Sequence, residues 1–368
     1  MEIERVTLHQ FEVPLAEPFV TVLRPIPELR RILVEIETDT GLTGIGEGAP
    51  SYTVTGETQR STMAVLRDVL ADLVLGEDPR AIDRRIAEMR ALVAGSPGAH
   101  AAIETALHDV RGKAADMPLY RLLGGHAETP TVDVPKILSI KDPQTMADEA
   151  AAAVDDGYQQ LKIKLGADPD EDRERVAAIA DRVPESVSLK ADANQGWGDA
   201  KTALQALSGT TDHLDVIEQP VAKDSVDDLR FVRDRVDIPV MADECVRTAA
   251  DASRLIRDDV ADYYNVKLMK TGGLTEAKRL STVAAAAGRK TQLGSMVEGE
   301  VGTAAGVHLV LALENVVWNE MVGPFMTTDG ITDLAVDEPS ISVSGPGLGV
   351  SIDRDALARL RSAREIVE

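Results

Sequence analysis

The chain has 368 residues, of which 44% are hydrophobic and 27% are charged, so it can bury a large core and is long enough for two or three domains. Its net charge of -23 makes nucleic acid and anionic membranes unexpected partners. No apolar run reaches the roughly 18 residues that a membrane span needs, and residues 1–19 contain no apolar secretion core. A single cysteine, Cys245, suits a reducing compartment. We therefore expect a soluble cytoplasmic protein.

Lysine is scarce in this acidic chain. There are 12 lysines against 27 arginines, and no lysine precedes Lys113. An acidic, lysine-poor surface suits a salt-rich cytoplasm, where screening reduces the repulsion between like charges. We hypothesise that the protein comes from such an acidic proteome. The positions of the few lysines then become informative.

The N-terminal third has the pattern of a small α+β unit. Alternating, β-branched segments predict strands at 4–13, 31–38 and 42–47, and helical patterning follows with glycine or proline between the segments. The predicted helices are 58–75, 79–93 and 100–115. We predict that residues 1–125 form one α+β domain, here called the cap.

From about residue 131 the pattern changes to short apolar runs that alternate with amphipathic, alanine-rich stretches. Past the first run they recur about every 24 to 30 residues, which is typical of βα units with parallel strands. Eight such units predict a (β/α)8-type barrel over residues 126–335, and residues 336–368 are expected to pack back on the cap. The predicted strands are 131–134, 161–165, 187–192, 216–218, 240–243, 265–268, 291–294 and 316–320.

Three carboxylates stand where neighbouring barrel strands end: Asp192, Glu218 and Asp243. Parallel strands share one edge for their carboxyl ends, so these groups should converge above the barrel. They would repel one another unless a cation lies between them, and all-oxygen ligands suit a hard ion such as Mg²⁺. We predict a metal site here; a network of salt bridges is the alternative.

Lysines stand beside these carboxylates. Lys162 and Lys164 are two residues apart on one strand, so both side chains point to one side, and each should lower the pKa of the other. Lys267 comes from the far side of the strand ring. A carbon acid bound between Lys164 and Lys267 could lose a proton to one lysine and regain one from the other. Surface lysines with solvated heads are the alternative.

These motifs resemble the enolase superfamily, in particular its muconate-lactonizing enzyme subgroup. The resemblance rests on Lys162-x-Lys164, Asp192-x-Asn194, Glu218-Gln219-Pro220, Ala242-Asp243-Glu244, Asn265-x-Lys267 and Lys270-x-Gly272-Gly273. It covers nearly the whole chain.

The resemblance implies a modified TIM barrel under an α+β cap, and Mg²⁺ as the metal, with Mn²⁺ as a substitute. It also implies that Lys162 gives electrostatic support to the acid/base pair Lys164 and Lys267. Asn194 and Glu244 would orient the ligands or a lysine. The histidine base of the mandelate racemase subgroup is not supported, because no histidine lies between 213 and 308.

Two cap loops, at 17–24 and 51–56, resemble those of dipeptide epimerases of the L-Ala-D/L-Glu type. In that family an arginine at the position of Arg24 pairs with a carboxylate of the substrate. The segment with Ser295 and Met296 also resembles these epimerases. The resemblance therefore implies substrate contacts at these three residues.

The last barrel strand departs from the epimerase pattern. Dipeptide epimerases commonly have Asp-x-Asp there to hold the ammonium group, whereas this chain has Glu320-Met321-Val322, of which Glu320 is the expected substrate contact. Glu320-x-x-Gly323-Pro324 instead resembles the muconate and chloromuconate cycloisomerases. A substrate with a carboxylate near Arg24 and no free ammonium, such as an N-acyl amino acid, would reconcile the two ends of the site.

We therefore expect a Mg²⁺-dependent isomerase that abstracts the proton α to a carboxylate of a small molecule. Racemisation or epimerisation of a dipeptide or N-acyl amino acid comes first. Muconate cycloisomerisation comes second, and dehydration in the manner of o-succinylbenzoate synthase comes third. A barrel that binds a metal and a carboxylate without turnover is the alternative outside enzymes. The resemblance also implies a homo-oligomer.

Overall fold

The structure is a computed structural model that describes residues 1–22 and 25–368. No helix among these residues has both the length and the apolar character needed to cross a membrane. The strands are β1 (Ile3–Val20), β2 (Pro25–Thr38), β3 (Thr43–Gly48), β4 (Thr131–Asp133), β5 (Lys136–Leu138), β6 (Gln160–Lys164), β7 (Ser188–Asp192), β8 (Val216–Glu218), β9 (Val240–Ala242), β10 (Tyr263–Lys267), β11 (Lys290–Gly294), β12 (Val316–Asn319), β13 (Ala335–Asp337), β14 (Ser340–Ser342) and β15 (Arg361–Val367).

Helices pack against the strands of the cap and against those of the barrel. A π-helical segment, Leu66–Leu70, connects the first two helices, and a 3-10 turn spans Thr211–His213. The α-helices are α1 (Gln59–Val65), α2 (Ala71–Val74), α3 (Ile82–Leu92), α4 (Pro97–Ala114), α5 (Leu119–Leu122), α6 (Pro143–Asp155), α7 (Pro169–Ala180), α8 (Ala200–Leu207), α9 (Val226–Arg233), α10 (Ala249–Arg257), α11 (Leu268–Thr271), α12 (Leu274–Ala286), α13 (Glu300–Val310), α14 (Gly323–Met326) and α15 (Arg354–Leu360).

The N-terminal sheet is antiparallel and has the order β15-β1-β2-β3. Successive side chains of a strand point to opposite faces, and β2 is buried on both. Ile32 and Val34 pack with the cap helices, whereas Leu33 packs in the core that continues into the barrel. The three predicted N-terminal strands are confirmed, and the first two extend beyond their predicted bounds.

Helix α4 lies directly on β3 because glycines face it. A Cβ atom on Gly46 would come within 2.0 Å of the carbonyl oxygen of Ala102. Beyond this contact, the buried carboxylate of Asp109 accepts hydrogen bonds from the N–H groups of Ile45 and Leu348, at 2.9 and 2.8 Å. Asp109 thereby joins α4, β3 and the C-terminal segment within the cap.

Eight parallel strands, β5 to β12 in sequential order, form the second sheet. Seven of them lie where the sequence predicted. The first differs, because Thr131–Asp133 pairs antiparallel with β14 in a separate three-stranded sheet. Pro135 follows, and proline lacks the N–H that a ladder needs. The barrel sheet therefore begins at Lys136, and within the described ranges no ladder joins its two edge strands.

The C-terminal segment returns to the cap. Strand β15 pairs with β1, from Val367 opposite Val6 to Arg361 opposite Phe11. The fold class of a barrel-type sheet under an α+β cap is confirmed. The domain bounds of 1–125, 126–335 and 336–368 stay a prediction.

Candidate active site at the mouth of the barrel

Strand register brings the charged strand ends to one level. Lys164 on β6 lies opposite Asp192 on β7, and Asp192 lies opposite Glu218 on β8. Lys267 ends β10, and Asp243 follows β9 directly. All five residues are at most 7% exposed. The strand register therefore places these groups at one edge of the barrel, as the sequence predicted.

On one side of the mouth, two lysines share the carboxylate of Asp192. The Nζ atoms of Lys162 and Lys164 lie 2.8 and 2.7 Å from its Oδ2. Burial lowers the pKa of Lys164, and Lys162 adds to that effect against the opposing charge of Asp192. Burial acts in the same direction on Lys162, but Asp192 and Glu218 outweigh it and raise that pKa. The predicted mutual lowering is confirmed for Lys164 and wrong for Lys162.

On the other side, two lysines share Asp243. Nζ of Lys267 lies 2.7 Å from its Oδ2, while Lys270 contacts its Oδ1 and donates to its backbone carbonyl at 2.6 Å. Burial acts to lower the pKa of Lys267, but Asp243 and Glu218 outweigh it and raise that pKa. In the sequence analysis Lys270 appears only as part of a motif. Its contact with Asp243 was not anticipated, although a lysine three residues after a site lysine was a signal.

The three carboxylates predicted as metal ligands are all 0% exposed. Lys162 lies between two of them, 2.8 Å from Asp192 and 3.0 Å from Glu218, and Lys267 is paired with Asp243. Among the residues that the structure describes, no three His, Cys, Asp or Glu side chains are grouped as metal ligands. The donor chemistry nevertheless suits a hard cation, because all three groups supply carboxylate oxygens at one barrel mouth.

The two predicted orienting residues contact each other. Nδ2 of Asn194 donates to Oε1 of Glu244 at 3.3 Å, and Oδ1 of Asn194 accepts from Lys164 at 3.0 Å. Burial, with the charges of Asp243 and Asp192, raises the pKa of Glu244 to about 7. Asn194 therefore links Glu244 to the lysine on the opposite side of the mouth.

A cavity of about 400 Å³ opens above these groups. Lys164 and Lys267 both line it, as do Ser295 and Met296, the two predicted contacts from the segment after β11. The cap supplies residues of its two loops, including Phe19 and Tyr52. Arg24, the predicted carboxylate partner, lies outside the described residues.

Glu320 lies elsewhere than predicted. It is 3% exposed and is not among the described residues that line the cavity. Its carboxylate accepts from Lys190 at 2.6 Å and from Gln292 at 3.0 Å, and it also contacts Lys162. These partners hold Glu320 inside the barrel, because a buried carboxylate needs compensating donors. Lys190 was missed; its position two residues before Asp192 on an alternating strand was the available signal.

A parallel barrel sheet with lysines and carboxylates at its carboxyl edge, closed by an α+β cap, defines the class of enolase-type barrel enzymes. Residues 3–124 match the family described as mandelate racemase / muconate lactonizing enzyme, N-terminal domain. Residues 145–356 match the family described as enolase C-terminal domain-like. The chain therefore belongs to the mandelate racemase/muconate lactonizing enzyme family of the enolase superfamily, as its motifs predicted.

Similar curated proteins are isomerases. An N-succinyl-L-Arg/Lys racemase from Bacillus cereus is 37% identical, with 100% of each chain covered. An L-Ala-D/L-Glu epimerase from Bacillus subtilis is 34% identical over 95% of this chain and 97% of its own. A chloromuconate cycloisomerase from Pseudomonas sp. (strain P51) is 28% identical over 96% and 98%. The chain is an isomerase of this family.

Solved structures agree with the fold. The crystal structure of the Bacillus cereus N-succinyl Arg/Lys racemase superposes with a TM-score of 0.96 at 36% identity, covering 100% of both chains. A dipeptide epimerase from Enterococcus faecalis, complexed with Mg and the dipeptide L-Leu-L-Tyr, has a TM-score of 0.92 at 33% identity and covers 95% of this chain and 100% of its own.

Proposed function

We propose that this protein racemises an N-acylated amino acid by removing and returning the proton on its α-carbon. The observation that carries the proposal is that Lys164 and Lys267 line one cavity while their ammonium groups pair with different carboxylates, Asp192 and Asp243. A substrate α-carbon between them would present one face to each lysine. The placement of both lysines on one cavity supports the two-base scheme.

The three lysines of the site have different roles in this proposal. Lys164, whose pKa is lowered, takes the proton on one face, and Lys267, whose pKa is raised, delivers one on the other. The reverse direction exchanges their roles, as racemisation requires. Lys162 lies between Asp192 and Glu218 and contributes positive charge below the substrate carboxylate. Each lysine therefore has a task that its surroundings support.

Mg²⁺ fits the donor set of Asp192, Glu218 and Asp243, and Mn²⁺ is the expected substitute. When bound, such an ion would supply positive charge that stabilises the enediolate formed after proton removal. The Enterococcus faecalis structure complexed with Mg supports this assignment.

The choice of an acylated nitrogen rests on Glu320. An ammonium group in the substrate needs a carboxylate partner, but Glu320 is already held by Lys162, Lys190 and Gln292 outside the cavity lining. An amide nitrogen carries no charge and needs no such partner. The relative named an N-succinyl-L-Arg/Lys racemase supports this class. Arg24, as the sequence predicts, would pair with a carboxylate of the substrate.

Cycloisomerisation of a muconate is the second candidate, favoured by the Glu320-x-x-Gly323-Pro324 segment. That reaction needs one lysine to handle a carbon-bound proton. Two lysines reach this cavity, Lys164 and Lys267, so racemisation uses more of what the site contains. Dehydration in the manner of o-succinylbenzoate synthase ranks third for the same reason.

The test is α-deuterium incorporation in D₂O with Mg²⁺, followed by mass spectrometry and chiral chromatography. The panel contains N-succinyl and N-acetyl amino acids, unblocked dipeptides and cis,cis-muconate. Incorporation with loss of optical activity in N-acyl compounds is the expected result. Faster exchange in unblocked dipeptides would reject the acyl requirement, and lactone formed from muconate would favour the second candidate. No exchange in any compound would reject both enzyme proposals in favour of a barrel that only binds.

We also propose that the protein works in the cytoplasm as a homo-oligomer, on the basis of its single cysteine and its family resemblance. Light scattering of the purified protein after size exclusion tests the oligomer. A monomer at micromolar concentration would contradict it.

A further inference from the structure

One wall of the cavity is a short segment with an unusual backbone. Ser295, Met296 and Val297, which follow β11, all line the cavity. Val297 has a φ of 55°, in the left-handed region that β-branched side chains rarely adopt. A residue keeps such a conformation only when its surroundings hold it there. The contacts of this segment should therefore reveal what sets the shape of the wall.

Arg31 of the cap, on β2, contacts the segment across the domain boundary. Its guanidinium donates to the carbonyl of Met296 at 3.1 Å and also to the carbonyl of Val297. Its other terminal nitrogen donates to the carbonyl of Arg30 at 2.9 Å, and the residue is only 4% exposed. Arg31 is among the residues that line the cavity, but these donors are directed to backbone carbonyls, so the contacts assign it to the segment.

Glu47, on β3, holds Arg31 and the next helix together. Its Oε1 lies 3.5 Å from Nε of Arg31. The same carboxylate accepts from the N–H groups of Gly299 and Gly302, at 2.6 and 3.0 Å, where α13 begins. Glu47 is 0% exposed, so this contact is part of the interior. Two cap residues thus hold the C-terminal part of the wall and the start of the helix that follows it.

The barrel contributes one further contact to the segment. The carboxylate of Glu298 accepts from the N–H of Met296 at 2.9 Å and from the hydroxyl of Ser295. The carbonyls of Met296 and Val297 thus face the cap, while the N–H of Met296 faces the barrel. Loss of Arg31 would remove the cap side of this arrangement and leave the barrel side in place.

We propose that Arg31 is a positioning residue for substrate selection: it holds the Ser295–Val297 wall in the shape against which the acyl or side-chain group of the substrate packs. The cap thereby acts on specificity through the barrel as well as through its own loops. The test has a kinetic arm and a spectroscopic arm. The kinetic arm rests on the proposed racemisation, because it requires a substrate that the enzyme converts. The spectroscopic arm does not.

The key variant is Arg31→Lys. Lysine keeps the positive charge beside Glu47, so the fold is preserved, but it lacks the planar guanidinium, which reaches the carbonyls of Met296 and Val297 with one terminal nitrogen and that of Arg30 with the other. Protein labelled with [methyl-¹³C]methionine, with the Met296 signal assigned by Met296→Leu, reports the wall directly. We expect that signal to shift and broaden in Arg31→Lys and to stay unchanged in Arg67→Lys, an exposed cap arginine. An unchanged Met296 signal in Arg31→Lys would overturn the proposal.

Kinetics then separate positioning from general destabilisation. For the best N-acyl amino acid, Arg31→Lys should raise KM about tenfold with kcat nearly unchanged, and should reduce the preference between two side chains by a similar factor. A lower melting temperature without these changes would make Arg31 merely structural and overturn the proposal. If no compound is turned over, the proposed function fails, and the methyl spectrum still decides the role of Arg31.

A second substitution, at Val297, tests whether Arg31 acts through the backbone conformation of that residue. Asparagine accepts positive φ far better than valine. If Arg31 acts by holding Val297 in this conformation, Arg31→Lys should shift and broaden the Met296 signal less in a Val297→Asn background than in the native background. Equal changes in both backgrounds would overturn the coupling.

Discussion

The barrel mouth and the edge of the cap both bury charges, and their arrangements differ. At the cap edge, Glu35 lies 2.6 Å from Nε2 of His9 and accepts two hydrogen bonds from Arg354, at 2.7 and 2.5 Å. We call these three residues the cap clasp. Burial acts to raise the pKa of Glu35, but its bonds to His9 and Arg354 lower it to about 2. Among the described residues, neither His9 nor Arg354 forms an ion pair with another carboxylate.

At the barrel mouth, in contrast, lysines and carboxylates share their ion-pair partners. Among the described residues the mouth buries five lysines and five carboxylates, and most of these touch two or more others. Its lysines shift in opposite directions: the pKa is lowered in Lys164 and raised in Lys267. We call this set the barrel cluster; it contains Lys162, Lys164, Lys190, Lys267, Lys270, Asp192, Glu218, Asp243, Glu244 and Glu320.

The difference separates stability from chemistry. The cap clasp keeps the carboxylate of Glu35 charged over a wide pH range and fastens the tail to the cap. In the barrel mouth, groups that share partners shift the pKa values of Lys164 and Lys267 in opposite directions, which suits acid/base chemistry. Substitutions in the barrel cluster should therefore affect rate more than stability, and substitutions in the cap clasp should do the reverse.

The largest expected effect is the loss of a lysine that lines the cavity. Lys267→Ala should lower the racemisation rate about a thousandfold, because one of the two faces loses its proton carrier. Lys164→Ala should do the same. The measurement is chiral chromatography of product, with circular dichroism to show that the fold is kept. The matched control is Lys290→Ala, an exposed lysine at the opposite end of β11. A Lys267→Ala variant that keeps more than a tenth of the rate would contradict the two-base scheme.

Metal removal comes next. Chelation should abolish exchange in D₂O, and added Mg²⁺ should restore it. Binding to the native state should also raise the unfolding free energy, by about 3 kcal/mol at a hundredfold excess over Kd. Asp243→Asn should reduce that shift, while a variant of the cap clasp, Arg354→Met, should keep it in full. An equal shift in Asp243→Asn and wild type would remove Asp243 from the metal site.

The sequence alone predicted that the charged strand ends meet at one edge of the barrel. A βα period locates parallel strands, and parallel strands end at one edge, so Lys164, Asp192 and Glu218 could be brought together before any coordinates. The depth of a side chain was harder to predict. Glu320 follows β12 directly and was predicted to contact the substrate, yet its carboxylate is bound to Lys190 inside the barrel. A one-residue difference along a strand decides which way a side chain faces.

The contact between Arg31 and Val297 was beyond the sequence for another reason. The two residues are 266 positions apart, and their meeting depends on how the cap docks on the barrel. The positive φ of Val297 gave no signal either, because glycine or asparagine would mark such a position and valine conceals it. Local patterns predict elements and edges; contacts between domains depend on the assembled fold.

A smaller effect is expected in the cap clasp. Arg354→Met should lower the free energy of unfolding by about 2 kcal/mol at neutral pH, because a buried carboxylate loses two charged donors, and should leave the racemisation rate unchanged. The pKa of Glu35 is lower in the folded state, so its stabilisation is present above about pH 4.5 and lost as the pH falls towards 2. The difference between variant and wild type should therefore shrink over that range.

Urea unfolding at a series of pH values measures this. Arg359→Met is the matched control, because Arg359 is exposed on the same helix, α15. A loss of stability that stays constant from neutral pH to pH 2 would mean that Arg354 acts by packing and not by its charge.

The smallest effect concerns the surface and tests the hypothesis of a salt-rich source. The net charge is -23, and exposed pairs such as Arg67 with Asp68 contribute little each, so repulsion among the excess acidic groups should dominate at low ionic strength. Molar KCl should therefore raise the melting temperature by a few degrees. Arg354→Met should show the same rise, since Glu35 and His9 of the cap clasp are buried and are screened much less than surface charges. A flat or falling melting temperature in both proteins would mean that the acidic surface is no adaptation to salt.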